Sequence, residues 1–156
     1  MFTLLLLLFG IVAAQATPLR IASLHPLLSE MARTLGGDYV EVVDLFPENG
    51  DLHAFTPTGN SLAAAVGAKL LLACGKGVEP YLLDLRDSLP TTTTIIEVGA
   101  DVPDVRIPGT RYKDPHWWNT PENMKRASRT LMLALCEADP ANKATFTAPV
   151  RRATPP

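Results

Sequence analysis

The chain has 156 residues, with 14 Lys+Arg against 16 Asp+Glu for a formal net charge of −2, and 47% of its residues are hydrophobic. Near-neutrality excludes a nucleic-acid binder that works through bulk positive charge, and the apolar fraction is enough for a packed core, which excludes wholesale disorder. Two cysteines exclude a disulfide-rich scaffold and a four-cysteine zinc site.

Residues Phe2–Ala14 are almost wholly apolar, Ala14-Gln15-Ala16 has small residues at the cleavage positions, and the first charged side chain is Arg20. This pattern reads as a secretory signal peptide cut after Ala16. The apolar run is shorter than the roughly 20 residues of a membrane-spanning helix. A mature, exported chain is therefore expected to start at Thr17.

Short apolar runs then alternate with helical periodicity. Leu19–Leu24 is a strand, and Pro26–Leu35 carries the helical stripe Leu27, Leu28, Met31, Leu35, ended by Gly36-Gly37. Tyr39–Phe46 is a β-branched and aromatic strand, followed by a turn at Pro47–Gly50 and a short helix at Thr58–Gly67 capped by Thr58 or Asn60. Lys69–Ala73 suits a buried parallel strand. Gly75–Gly77 is a turn, Glu79–Leu89 a helix and Thr93–Val98 a fourth strand. A proline-rich, irregular stretch runs from Gly99 to Trp118. The strongest helix follows at Pro121–Glu137, with Met124, Ala127, Thr130, Leu131, Ala134 and Leu135 on one stripe. Strand then helix, four times over, predicts an α/β fold: a parallel four-stranded sheet with helices on both faces and right-handed crossovers.

In such sheets ligands bind in the loops at the carboxyl ends of the strands. All three histidines fall in or beside these loops: His25 after the first strand, His53 after the second, His116 after the fourth. Neutral imidazole is a ligand for zinc and other transition metals. Asp51 and Asp114 each stand two residues before a histidine, where a carboxylate can orient the ring through its other nitrogen or itself serve as ligand. By spacing alone, loop histidines are more often plain hydrogen-bonded residues, and His25, just before Pro26 at a helix start, reads as structural. Cys74 and Cys136 suit either a pair formed after export or two buried thiols. Trp117-Trp118 reads mainly as packing over the loop and the following helix. No H-E-x-x-H, G-x-S-x-G, P-loop or G-x-G-x-x-G occurs.

Taken together, four local sequences carry a family likeness. Asp114-Pro115-His116-Trp117-Trp118, then Pro121-Glu122-Asn123 and a helix ending Glu137-Ala138-Asp139-Pro140-Ala141-Asn142, resembles the DPHxW…P-x-N…DP-x-N segment of the zinc/manganese ABC-transporter solute-binding proteins, the ZnuA/TroA-like cluster A-I. Leu52-His53-Ala54-Phe55-Thr56-Pro57-Thr58 resembles their metal loop. Gly75-Lys76-Gly77-Val78-Glu79 resembles their x-G-x-x-x-E stretch, and Ile21-Ala22-Ser23-Leu24-His25-Pro26-Leu27 their first strand and turn. The order and spacing agree over about residues 19–148.

The resemblance implies that His53 and His116 are metal ligands, with Asp51 and Asp114 in supporting positions, and that the ion is a divalent metal, zinc favoured over manganese. His25 falls where the family does not usually place a histidine, and Asn119 stands where it often has an aspartate. The family has two lobes joined by a long helix, each giving about half of the ligands. The expected organisation is a signal peptide at 1–16, an N-terminal metal-binding lobe at 17–148, a disordered tail at 149–156 and no second lobe.

The implied function is a truncated periplasmic protein that captures a divalent metal for an ABC importer. It would meet the membrane only through the permease, bind no nucleic acid and carry out no chemical step. Two imidazoles half fill a four-coordinate ion, which water, another protein or a homodimer would complete. The alternative is a secreted adhesive or structural lobe without metal transport. A metal-dependent hydrolase ranks third, because Asp51 and Asp114 are the sole candidate bases.

Overall fold

The computed structural model describes residues 17–149 apart from His53. The expected signal peptide at 1–16, residues 150–156 of the expected tail, and His53, an expected ligand, lie outside the described residues.

Four strands form one parallel sheet in the order β2-β1-β3-β4: β1 Leu19–Ser23, β2 Val40–Asp44, β3 Leu70–Ala73 and β4 Thr94–Glu97. In register, Ile21 faces Val42 on one side and Leu70 on the other, and Leu72 faces Ile96. β3 is central and buried along its whole length. That is why its sequence, Leu-Leu-Leu-Ala, is apolar without alternation.

Successive side chains of a strand point to opposite faces, so β1 and β3 each supply two cores. Ile21, Leu70 and Leu72 pack under α1 (Pro26–Gly36), α4 (Pro121–Ala138) and α5 (Lys143–Phe146). Ala22, Leu71 and Ala73 pack under α2 (Gly59–Ala64) and α3 (Leu82–Ser88). This is the expected α/β architecture. Among the described residues no helix is long and apolar enough to cross a membrane.

Local chemistry sets the element ends. Pro26 opens α1 behind the His25 cap, and α1 closes at Gly37, whose φ is +53°. Gly36 must lack a side chain, since a Cβ there would lie 2.2 Å from Val40 Cγ1. Thr58 and Ser61 form a reciprocal capping box at α2, and Thr120 accepts the Asn123 N–H at α4. On α4, Ala127, Leu131, Ala134 and Leu135 are buried as the stripe requires, with Cys136 beside them. Thr130 instead lies at the stripe's edge and donates to Asp101 Oδ2 at 3.1 Å.

Four expectations are corrected. The stretch Gly99–Trp118 holds an antiparallel hairpin, β5 Val105–Arg106 with β6 Lys113–Asp114. Proline spacing hid strands of two residues each. Tyr39 belongs to a 3₁₀ turn, Gly37–Tyr39, rather than to β2. α2 stops at Ala64, short of Gly67. Glu79 precedes α3 instead of opening it, because its side chain is needed elsewhere.

Glu79 is buried and folds back on the end of β3, where Oε1 accepts the Cys74 N–H at 2.7 Å and Oε2 the Gly75 N–H at 3.0 Å. Burial pushes its carboxyl above the usual range, against the pull of those hydrogen bonds. The clamp permits a tight turn in which Gly75, Lys76 and Gly77 all have positive φ. Cys74 and Cys136 are both buried free thiols, and burial beside Glu79 raises the Cys74 thiol far out of the reactive range.

The clamp has a direct test. The E79Q side chain has one carbonyl oxygen for two N–H donors and turns its amide hydrogens on the other. We predict a loss of about 1–3 kcal/mol in stability, read by urea denaturation.

Candidate metal centre

The strand order changes direction between β1 and β3, and the crevice at their carboxyl ends is where open parallel sheets hold ligands. Loops from β1, β2 and β4 converge on that edge.

His116 lies just past the hairpin. Asp114, the last residue of β6, accepts the His116 backbone N–H at 2.9 Å and faces its ring Nδ1 at 2.7 Å, both through Oδ1. These bonds hold the Asp114 carboxyl below its usual range, the backbone bond first and the ring bond second. A proton on Nδ1 satisfies Asp114 and makes Nε2 the electron-pair donor, which is the tautomer of a metal-bound imidazole. The ring is 41% exposed. Asp114 thus contacts the His116 ring through the nitrogen opposite Nε2.

Asp51 is exposed in the loop after β2, where its carbonyl accepts the Ala54 N–H at 3.1 Å. It borders a cleft of about 410 Å³ together with Phe55, Thr58 and Ser61. Among the described residues no three His, Cys, Asp or Glu side chains group as a metal cage.

His25 is the N-cap of α1, its Nδ1 accepting the Leu27 N–H at 3.1 Å. That bond puts the proton on Nε2, opposite to the tautomer at His116, so a capping His25 has no lone pair to offer a metal there. Nε2 is buried without a hydrogen-bond partner among the described residues. The structural reading of His25 holds.

The two tryptophans divide their work. Trp117, 4% exposed, donates from Nε1 to the Cys74 carbonyl at 3.1 Å. It fits because residue 99 is glycine: a Cβ there would lie 2.4 Å from the indole nitrogen. Trp118 is half-buried, its ring centroid 5.3 Å from that of His25 and 5.3 Å from that of His116. The double tryptophan signalled packing in the sequence, but nothing there separated the indole that enters the core from the one that touches the candidate ligand.

The family model for ZnuA, the zinc-uptake complex component A, periplasmic, matches residues 21–154. The chain belongs to the ZnuA family. A ZnuA deletion mutant with zinc bound superposes with a TM-score of 0.76 at 30% identity, over 83% of this chain and 50% of that one. The solute-binding protein FpvC of Pseudomonas aeruginosa, in complex with Mn2+, gives 0.74 at 25% identity over 84% of this chain and 50% of that one. A protein of Treponema pallidum (strain Nichols) whose name describes it as metal-binding is 26% identical over 129 residues, 72% of this chain and 40% of its own length. The chain thus spans half or less of the length of these relatives. The family and the single-lobe α/β fold are those that the motifs implied.

The capping histidine predicts a pH dependence. Burial lowers the His25 pKa from its ordinary 6.5. Between 6.5 and the lowered value the unfolded chain holds a proton that the folded chain refuses, so stability falls as pH drops below about 6.5. Protonation at Nδ1 also destroys the cap. Thermal melts at pH 7.5 and 5.5 are expected to show a larger drop for wild type than for H25N, whose side chain caps at both.

Proposed function

We propose that this chain is the metal-binding lobe of a periplasmic solute-binding protein that captures a divalent ion for an ABC importer. The observation that carries this reading is the Asp114–His116 pair, in which one carboxylate oxygen takes both the backbone N–H and the ring Nδ1. A carboxylate that fixes the tautomer and heading of a half-exposed loop imidazole is the support that metal-ligating histidines use.

In this reading His116 and His53 are the ligands. His53 enters through its place in the family's metal loop, and Asp51 stands near it in sequence as a supporting group. The ion is cargo and no bond of a substrate is made or broken. Imidazole donors suit zinc better than manganese, which prefers oxygen ligands, so zinc is the expected cargo. Residues 1–16 direct export and residues 17–148 form the lobe. Two imidazoles fill half of a tetrahedral shell, so water or a further protein surface supplies the rest. The permease of the importer is the partner that receives the ion.

Calorimetric titration of the whole chain with zinc and with manganese tests this. Sub-micromolar zinc binding that is lost in the H53A/H116A double variant is the expected result, with weaker manganese binding. D114A is expected to weaken zinc binding by about 10–100-fold while the fold persists. Zinc binding indifferent to the double substitution overturns the site.

A further inference from the structure

His116 is restrained on two sides. Asp114 holds Nδ1, and this fixes the ring's rotation about its own bond. The other restraint is Trp118, whose ring meets His116 at an interplanar angle of 81°. Edge-to-face contacts of this kind are attractive and directional.

Trp118 itself has little room to move. It meets Trp117 at 83° with centroids 5.5 Å apart, and His25 at 52° with centroids 5.3 Å apart. Both backing rings are buried, Trp117 at 4% exposure and His25 at 7%. Each is tied to the framework by its own hydrogen bond, Trp117 to the end of β3 and His25 to the first turn of α1. A row of rings therefore runs from the sheet and the helix cap out to the imidazole. The His25 Nε2 has no hydrogen-bond partner among the described residues. What its ring does have is a tilted contact with Trp118.

We propose that Trp118, backed by His25, is a positioning residue for metal capture: it presets the His116 imidazole so that little ring motion remains to be lost when the ion arrives. The proposal rests on the reading of His116 as a ligand. Neither Trp118 nor His25 touches the metal. Their contribution is preorganisation, which shows in affinity and ligand geometry rather than in the identity of the ligands.

The test uses the whole chain, with zinc for affinity and Co2+ alone as a probe whose visible bands report coordination geometry. W118A is expected to weaken zinc binding about two- to tenfold, the range set by one aromatic pair, and to change the Co2+ bands. W118F keeps a ring in place and is expected to recover most of both. H25N keeps the helix cap but removes the backing ring. It is expected to retain its melting temperature at pH 7.5 and still lose zinc affinity. A merely structural role for Trp118 would lower the melting temperature and leave the Co2+ bands of the folded protein unchanged.

Wild-type zinc affinity and Co2+ bands in W118A, with binding abolished in H116A, overturn this inference and leave the metal site standing. Binding unchanged in H116A overturns the metal reading and this inference with it. Should W118A fail to fold, H25N decides: unchanged zinc affinity in folded H25N overturns the proposal.

Discussion

The candidate site depends on one buried hydrogen bond, from the Trp117 indole to the carbonyl of Cys74. It joins the loop after β4 to the end of β3, across a gap open only because Gly99 has no side chain. The pin adds to the Gly99 N–H, which donates to the same carbonyl at 3.1 Å, and to the buried Val102 in anchoring the segment from Gly99 to Thr120. With it, the segment that carries Asp114, His116 and Trp118 is registered on the most buried strand of the molecule. Glu79 serves the same edge by satisfying the two amides where β3 ends. At the end of β3 the Cys74 carbonyl and the Cys74 and Gly75 amides thus all have partners.

Much of the framework was legible in the sequence for simple physical reasons. β3 reads as a buried strand because a parallel strand covered on both faces needs an unbroken apolar run. α4 reads clearly because Pro121 and an apolar stripe mark its start and its inner face. What escaped was short or depended on distant partners. The β5–β6 hairpin has two residues per strand, too few for any periodicity. Glu79 looked like part of a helix because nothing near it in sequence reveals that its carboxylate is engaged by Cys74 and Gly75.

The candidate site was legible in a different way. Spacing placed His25, His53 and His116 in loops on one edge, and only the likeness to a family singled out two of them. His25 already read as structural from its place before Pro26, and the geometry adds the bonds that separate it from His116. One imidazole accepts at Nδ1 to cap a helix, and the other offers Nδ1 to a carboxylate. The same side chain thus has opposite tautomers in two rings that both meet Trp118, each fixed by a neighbour two residues away. No composition or period encodes this.

Asp104 carries a consequence beyond the fold. Its exposed carboxylate is shared by Lys76, from the turn after β3, and Lys113, from β6, and both hydrogen bonds keep its pKa low. Lys113 neighbours Asp114, so this small ionic bridge sets one end of the lever that holds His116. Dissolved ions compete with such a bridge: at physiological ionic strength the Debye length is about 8 Å. The Lys113 arm, at 59% exposure, fades before the more sheltered Lys76 arm at 21%. The β6 end of this bridge is therefore the more salt-sensitive of its two ends, while the backbone pairing of β5 with β6 keeps the hairpin closed whatever the salt.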